Sequence, residues 1–159
     1  MIRTGLGYDV HQFAAGRRLV LGGVTIPSDI GLVGHSDADV LLHAIMDAVL
    51  GAAGCGDIGL HFPPSEERWR DADSGDLSRE VVRLIGERWR IVNVDSTLIA
   101  ERPKIAPYRD QIRASVASIL GISLDQTNVK ATTNEGMGFV GRGEGIAALA
   151  IATLEALDH

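Results

Sequence analysis

The chain has 159 residues, of which 45% are apolar and 23% charged, a composition that excludes a disordered chain. Its formal net charge of −6 disfavours nucleic acid or an anionic membrane as a partner, because both attract a basic surface. An anionic substrate would therefore need cations that are concentrated at its site. We expect a single domain over residues 1–159, since this length suits one hydrophobic core.

The N-terminal residues and the cysteine content indicate the compartment. The segment MIRTGLGYDV has neither an apolar signal core nor an Arg- and Ser-rich transit pattern, and Cys55 is the single cysteine. No run reaches the roughly 18 apolar residues that span a bilayer. We expect a cytoplasmic protein without a membrane segment.

The first third of the chain is predicted to be β structure. Residues 2–10 alternate as in a strand, and RRLVLGGVTIP predicts two short strands joined at Gly22 and Gly23. At residue 37 the period changes to that of a helix. This helix is predicted over residues 37–53, with Ser36 as N-cap, Asp39 completing a capping box and Gly54 at its C-terminus.

The rest of the chain mixes helices and strands. Two more helices are predicted, over Gly75–Arg90 after a Ser74 cap and from Pro107 to Gly121. The segments IVNVDSTLIA and NVKATT are predicted strands, SLDQ is a capping box before a turn, and NEGMGFVGRGEG is a glycine-rich loop. The apolar tail from Ile146 to Leu157 fits either helix or strand. These elements predict an α+β fold with helices packed on a sheet.

Two polar patterns suggest a metal site. In a strand, Asp9 and His11 share one face while Tyr8 and Val10 point to the other, although a strand histidine can also be a hydrogen-bonded packing residue. On the first helix, His43 belongs to a polar stripe with Asp39 and Asp47, at intervals of four residues, which could instead be a solvent-facing edge. Two imidazoles and one carboxylate leave a fourth ligand position open, as in catalytic zinc sites and some non-haem iron sites.

Other polar segments suggest an anion site. His35 and Ser36 precede the first helix, where free backbone N–H groups suit a phosphate, although Ser36 could simply cap the helix. Asp57 lies in a glycine-rich segment and could bind sugar hydroxyls or stabilise a turn. His61 and His159 are interpreted as surface or packing residues.

The segment KATTNEGMGFVGRGEG concentrates further candidates. Lys130 and Arg142 are cationic donors, Thr132 and Thr133 supply hydroxyls, and Glu135 is a hard ligand suited to Mg²⁺, so the set suits a metal-bound diphosphate. The alternative is a glycine-rich turn with an ion pair between Arg142 and Glu144.

Taken together, these residues resemble the 2-C-methyl-D-erythritol 2,4-cyclodiphosphate synthase family of the non-mevalonate isoprenoid pathway. The likeness covers nearly the whole chain, through GYDVHQF, GGVTIP, GHSDADVLLHAIMDAVLGAAGCGDIG, FPPSE, ADS, NVDSTLIAERPKIAPY and NVKATTNEGMGFVGRGEGIA. The segments follow the family's order with compatible spacing. Two departures from some relatives are Asn134, where a third threonine is frequent, and the pair Glu101 and Arg102 at the rim of the implied cytosine pocket.

The resemblance implies a site for each part of the substrate. Zn²⁺ would be bound by Asp9, His11 and His43, and Mg²⁺ or Mn²⁺ by Glu135. His35 and Ser36 would contact phosphates, with Thr133 supporting the transition state. The methylerythritol unit would be bordered by Asp57, Ile58, Gly59, Phe62, Pro63, Pro64, Ser65 and Glu66. The cytidine diphosphate pocket would be formed by Ala100, Pro103, Lys104, Ile105, Ala106, Thr132, Thr133, Asn134 and Glu135.

The resemblance also implies an assembly and a reaction. The expected subunit has a mixed four-stranded sheet with helices on one face, and three subunits form a homotrimer with active sites between them. Phe139 and Arg142 would lie near the threefold axis, beside a cavity for an isoprenoid diphosphate, and the apolar tail would be a strand buried on both faces. The substrate's 2-phosphate would attack its β-phosphorus, releasing CMP, with Lys130 and His35 adding positive charge.

Two rival functions remain at this point. A metal-dependent phosphohydrolase would use bound water as nucleophile and release free phosphate. A non-catalytic trimer would bind isoprenoid diphosphate but release no CMP.

Overall fold

The computed structural model describes residues 1–158, which form an α+β fold. Its strands are β1 (Ile2–Ala15), β2 (Leu19–Leu21), β3 (Val24–Ile26), β4 (Ile30–Leu32), β5 (Trp89–Ile99), β6 (Thr127–Thr132) and β7 (Gly145–Ala156). Its helices are α1 (Val40–Ala53), α2 (Ile58–His61), α3 (Ser74–Ile85), α4 (Arg109–Leu120) and α5 (Gly138–Gly141). Short 3₁₀ turns cover Glu67–Trp69, Ala106–Tyr108 and Leu124–Gln126.

The main sheet is mixed and has five strands, in the order β4-β1-β7-β5-β6. Only β5 and β6 are parallel, and the other neighbours are antiparallel. The expectation of four strands was wrong because β1 continues to Ala15, five residues beyond the predicted end, and its extension pairs with the short β4. The predicted hairpin is confirmed as β2 and β3, and Gly22 and Gly23 both adopt positive φ angles in its turn.

The helices cover one face of the sheet, as predicted. Gly5, Gly7, Asp9 and His11 of β1 lie on this covered face, and a Cβ atom on Gly7 would be only 1.8 Å from the Ala44 carbonyl oxygen of α1. The absence of a side chain therefore lets the helix backbone lie directly on the strand. On β7, which is confirmed as a strand, the covered face carries Ile146, Ala148, Ala150, Ala152 and Leu154.

The opposite face of the sheet is open in the single chain. Leu6 is 67% exposed, Tyr8 51% and Ile151 49%, so apolar side chains from two adjacent strands face outward together. In the single chain, the tail strand is thus buried on its covered face, whereas Ile151 on its open face is exposed. Within residues 1–158, no helix is both long enough and apolar enough to cross a membrane.

Several predicted boundaries were wrong. The first helix begins at Val40 because its N-cap is Asp39, whose side chain accepts a hydrogen bond from Leu42 N, so Ser36 is not the cap. Helix α3 is capped by Asp73, begins at Ser74 and ends at Ile85. Residues 86–88 follow α3, and Arg90 belongs to strand β5.

The later elements agree better with the predictions. The 3₁₀ turn containing Pro107 leads into α4, which ends at Gly121 in a left-handed conformation, and the Ser123–Gln126 capping box is present. The glycine-rich loop contains one unpredicted helical turn, α5, closed by a hydrogen bond from Arg142 N to the Gly138 carbonyl oxygen.

Candidate metal site and substrate cleft

Asp9, His11 and His43 meet where α1 crosses β1. Asp9 and His11 lie on the helix-facing side of the strand, and the close approach at Gly7 brings α1 and therefore His43 next to them. Asp9 Oδ2 is 2.8 Å from His11 Nε2 and 3.0 Å from His43 Nδ1. The two imidazole nitrogens are 3.1 Å apart. The predicted grouping of these three residues is confirmed, and Tyr8 and Val10 face the opposite side.

The geometry of these three residues fits a small divalent cation. One carboxylate oxygen and two imidazole nitrogens converge on one space, and bonds of ~2.0–2.1 Å in a tetrahedral site would place such ligand atoms about 3.3 Å apart. The observed separations are close to that spacing. Among the described residues, no other group of three or more histidine, cysteine, aspartate or glutamate side chains brings its ligand atoms this close together.

Hydrogen bonds fix the orientation of both imidazoles. His11 Nδ1 donates to the Val33 carbonyl oxygen at 2.8 Å, which leaves the lone pair of His11 Nε2 for the cluster. His43 Nε2 lies 3.0 Å from Ser36 Oγ and 3.1 Å from Ser74 Oγ, so its Nδ1 faces Asp9. Such partners beyond the ligands hold a metal-binding histidine in place.

The pKa values of Asp9 and His11 are shifted from their ordinary values. Burial alone would raise the pKa of Asp9, but hydrogen bonds and charge from His11 and His43 outweigh it and hold that pKa well below its usual value. Burial opposes the charged form of His11, but the Asp9 carboxylate outweighs it and raises the His11 pKa above its ordinary value. Asp9 therefore stays anionic at neutral pH and is ready to bind a cation.

The polar stripe on α1 faces inward, so it is not a solvent-facing edge. Asp39 is fully buried, and its carboxylate accepts hydrogen bonds from Gly22 N at 2.9 Å and Gly23 N at 2.7 Å, which anchors the hairpin to α1. Burial raises the pKa of Asp39 to about 6, although these backbone donors favour its charged form. Asp47 accepts from Ile58 N at 2.9 Å and so holds α2, and burial raises the pKa of Asp47.

A cleft of about 240 Å³ opens beside the three ligands. Of the residues implied as substrate contacts, the cleft is lined by Asp9, His11, His35, Ser36, Ile58, Gly59, Phe62 and Pro64. Three apolar side chains that were not predicted, Met46, Trp69 and Leu77, complete the lining. The cleft therefore combines a polar end at the metal ligands with an apolar wall.

His35 and Ser36 line this cleft for a different reason from the one predicted. They lie several residues before the first turn of α1 and therefore do not contribute the free backbone N–H groups of that helix. Ser36 Oγ is instead beside His43 Nε2, and His35 Nε2 is buried without a hydrogen-bond partner among the described residues. A buried polar atom of this kind suits a ligand oxygen.

The remaining residues of the methylerythritol group lie outside the cleft lining. Asp57 caps α2 by accepting from Leu60 N at 2.9 Å, which matches the alternative of a turn-stabilising aspartate. The Pro63 carbonyl oxygen accepts from Glu66 N, Ser65 is exposed, and Glu66 pairs with Arg68. These four residues lie close to lining residues in the chain, but they do not line the cleft in the single chain.

The residues of the implied cytidine pocket form a second, separate group. The Ala100 N–H donates to the Thr132 carbonyl oxygen at 3.0 Å, which joins the segment of residues 100–106 to that of residues 132–135. Glu135 has a positive φ of 54°, and its N–H donates to Thr133 Oγ1 at 3.1 Å. None of the described residues in these two segments lines the cleft, so one chain does not bring Glu135 to the three ligands.

The predicted cations lie away from the cleft. Lys130 pairs with Asp95 at 2.6 Å, and both belong to the open face of the sheet, opposite the helices. Lys130 does not line the cleft within one chain, and its contribution of positive charge to the site stays a prediction. Arg142 pairs with Glu144 at 2.8 Å, the ion pair that was weighed as the alternative.

Phe139 and His61 lie outside the lining of the cleft. The Phe139 ring is 41% exposed, and it borders a second recess together with Val10, which lies on the open face of the sheet. His61 Nε2 donates to the Cys55 carbonyl oxygen at 2.7 Å, in agreement with a packing role. His159 lies outside the described residues.

The contacts of two polar residues around the sites were missed by the sequence interpretation. Ser74 was predicted as a cap, but it is fully buried beside His43 and donates through its hydroxyl to Asp37. Glu101 was noted only as a departure from relatives, but its Oε1 accepts from Asn134 N at 2.9 Å and Gly136 N at 3.2 Å. Contacts between residues that are more than thirty positions apart leave no local signal in the sequence.

Comparison with known proteins agrees with this arrangement. Residues 2–155 match the YgbB family model. The 2-C-methyl-D-erythritol 2,4-cyclodiphosphate synthase of Chlorobaculum tepidum is 57% identical, covering 97% of this chain and 99% of that protein. The structure of IspF from Plasmodium falciparum, a CDP complex, superposes with a TM-score of 0.87 at 35% identity, covering 99% of this chain and 97% of that one. The bifunctional IspDF of Campylobacter jejuni superposes with a TM-score of 0.95 at 39% identity, over 99% of this chain and 43% of that one.

The fold and site thus define an α+β enzyme with a carboxylate and two histidines poised for a cation. The chain belongs to the YgbB family. Its relatives in Chlorobaculum tepidum and Alkaliphilus oremlandii are named 2-C-methyl-D-erythritol 2,4-cyclodiphosphate synthase.

Proposed function

We propose that the chain converts 4-diphosphocytidyl-2-C-methyl-D-erythritol 2-phosphate into 2-C-methyl-D-erythritol 2,4-cyclodiphosphate and CMP, in isoprenoid precursor biosynthesis. The observation that carries this proposal is the convergence of Asp9, His11 and His43 at the polar end of a cleft, in a chain of this family. The reaction is an intramolecular phosphoryl transfer, in which the 2-phosphate attacks the β-phosphorus and CMP leaves.

Asp9, His11 and His43 hold Zn²⁺ in this proposal, and Glu135 holds Mg²⁺ or Mn²⁺ together with substrate phosphates. When bound, these ions act as Lewis acids that offset the charge of two phosphate groups. The protein itself has a formal charge of −6, so local positive charge is required for two anionic groups to approach. The low pKa of Asp9 supports a ligand that is anionic at neutral pH.

His35 and Ser36 bind the phosphates beside the zinc ligands. Support comes from their position in the cleft lining and from the buried, unpartnered Nε2 of His35, which can donate to a phosphate oxygen. Ile58, Phe62 and Trp69 form an apolar wall for the methylerythritol carbons. Holding a flexible substrate with its two phosphates in line lowers the entropic part of the barrier.

The second group of residues, 100–106 with 132–135, binds the cytidine diphosphate end, and Thr133 supports the transition state. The CDP in the complex of Plasmodium falciparum IspF supports a nucleotide pocket in this fold. Lys104 and Pro103 lie in the segment joined to Thr132, so both halves of the pocket are connected by backbone hydrogen bonding.

The chain assembles as a homotrimer in which these two groups meet between subunits. Two observations support this arrangement: one chain keeps Glu135 apart from the zinc ligands, and Leu6, Tyr8 and Ile151 form an exposed apolar patch on the open sheet face. Burial of such a patch stabilises association. Phe139 and Arg142 lie near the threefold axis, beside a cavity for an isoprenoid diphosphate.

Product analysis tests this function directly. The cytidyl substrate is incubated with the protein, with and without a chelator, and followed by phosphorus NMR. We expect the cyclic diphosphate and CMP in equal amounts, with loss of both products after chelation. Release of orthophosphate would identify a phosphohydrolase instead, and binding without any CMP would identify a non-catalytic carrier.

A further inference from the structure

The far side of the His43 ring is enclosed by a buried polar network. His43 Nε2 lies between Ser36 Oγ at 3.0 Å and Ser74 Oγ at 3.1 Å. Ser74 is fully buried in the first turn of α3, and Asp37 reaches it from the loop before α1. The Asp37 carboxylate accepts from both the Ser74 hydroxyl and Ser74 N, the latter at 3.0 Å.

The direction of the hydrogen bonds in this network is determined by chemistry. A carboxylate can only accept, so the single hydroxyl proton of Ser74 points to Asp37. Ser74 Oγ therefore presents a lone pair to His43, and the nitrogen that faces it has to carry a proton. The proton on Nε2 leaves Nδ1 of a neutral His43 with its lone pair directed at Asp9 and His11.

We propose that Ser74 and Asp37 are positioning residues that hold His43 with its proton on Nε2 and its Nδ1 lone pair toward the metal site. This inference rests on the proposed function, since it concerns the ligands proposed for Zn²⁺. Neither residue belongs to the cluster of Asp9, His11 and His43 or to the lining of the cleft. They act through His43, as a carboxylate acts through a metal-binding histidine in other sites, here with a serine hydroxyl between the two.

Ser36 cannot replace Ser74 in this role. Its Oγ accepts from Ala38 N at 3.3 Å, and no carboxylate accepts its hydroxyl proton in the described structure. The Ser36 hydroxyl is thus free to donate to His43 or to accept from it. Ser36 alone permits either tautomer of His43, whereas Ser74 held by Asp37 permits one.

The matched variants for this network are Ser74→Ala and Ser78→Ala. Ser78 is equally buried, lies one turn further along α3 and donates to the Ser74 carbonyl oxygen at 2.7 Å, but it does not bond to His43. Zinc affinity is measured by competition with a chromophoric chelator. We expect Ser74→Ala to weaken zinc binding about ten- to a hundredfold, and Ser78→Ala to leave it within about twofold of wild type.

Ser74→Thr provides the rescue, because it keeps the hydroxyl, and it is expected to bind zinc more tightly than Ser74→Ala. Equal affinity of Ser74→Ala and wild type would overturn the inference, as would an equal loss in Ser78→Ala, which would indicate helix packing. Absence of zinc binding by wild type would instead overturn the proposed metal site itself.

A measurement on the wild-type protein does not depend on how the variants fold. In the zinc-loaded protein, ¹⁵N NMR is expected to show the His43 proton on Nε2 in slow exchange with solvent and the metal on Nδ1. A proton on Nδ1 with the metal on Nε2 would overturn the inference.

Discussion

Gly7 of β1 lies directly against Ala44 of α1, so closely that a Cβ atom on residue 7 would be 1.8 Å from the Ala44 carbonyl oxygen. This contact sets the distance between the strand that carries Asp9 and His11 and the helix that carries His43. The proposed metal site therefore depends on a residue with no side chain. A substitution at Gly7 is therefore expected to affect both the packing of α1 on β1 and the proposed binding of a metal ion.

Gly7→Ala should disturb both stability and the metal site. Its methyl group would force α1 away from β1, and we expect a loss of about 2–3 kcal/mol in the free energy of unfolding together with weaker zinc binding. The control is Gly51→Ala, also on the β1–α1 unit, where nothing lies within 4 Å of the added Cβ. Gly51→Ala should stabilise the protein by about 0.5–1 kcal/mol, because alanine favours a helix. Urea unfolding measures both, and an unaffected Gly7→Ala would contradict the role of the close contact.

Asp39→Ala should destabilise the protein more than removal of an ordinary helix cap. It leaves Gly22 N and Gly23 N without their carboxylate, and we expect a loss of about 2–4 kcal/mol in the free energy of unfolding. Asp73→Ala removes the exposed cap of α3 and should cost about 1 kcal/mol. Equal losses in the two variants would show that the buried contacts to the hairpin contribute little.

Glu101→Ala should disorganise the turn that carries Glu135. The Glu101 carboxylate holds Asn134 N and Gly136 N, on either side of that residue, so its loss should lower kcat/KM by about tenfold or more while zinc content stays unchanged. Glu101→Gln keeps an oxygen that can accept both bonds, and steady-state kinetics should find it close to wild type. The prediction fails if both variants have wild-type kinetics, or if Glu101→Gln is as impaired as Glu101→Ala.

Glu135→Gln tests the second ion separately from the first. Loss of the carboxylate should raise the Mg²⁺ concentration needed for half-maximal activity by about tenfold, because Mg²⁺ favours charged oxygen ligands. Zinc content should remain that of wild type, since Glu135 is not part of the Asp9 cluster. Glu144→Gln, in the same loop, should keep the wild-type Mg²⁺ response. An unchanged Mg²⁺ titration of Glu135→Gln would refute this ligand assignment.

The grouping of Asp9, His11 and His43 could be predicted from the sequence because its signals are local. Strand alternation places Asp9 and His11 on one face, and His43 lies with Asp47 on a narrow polar stripe of a mainly apolar helix. The cap of that helix was misassigned because both Ser36 and Asp39 are good caps, and only the contact of Asp39 with the hairpin decides between them. The sequence pattern around the helix start carries no information about that contact, because Gly22 is 17 residues away from Asp39.

The contributions of distant residues could not be predicted. Glu101 and Asn134 are 33 positions apart, and Ser74 reaches His43 from another helix, so neither contact has a periodic signature. The helical turn α5 was missed because glycines hide helical periodicity, although backbone hydrogen bonds form it. The short strand β4 follows from pairing with β1, which is a property of the fold and not of its three residues.

Zinc content per chain in the His11→Ala variant is the most direct test of the central claim. His61→Ala is the matched control, since His61 bonds to the Cys55 carbonyl oxygen outside the cluster. We expect about one zinc per chain in wild type and in His61→Ala, and none in a folded His11→Ala. Retention of zinc by His11→Ala at the wild-type level would contradict it.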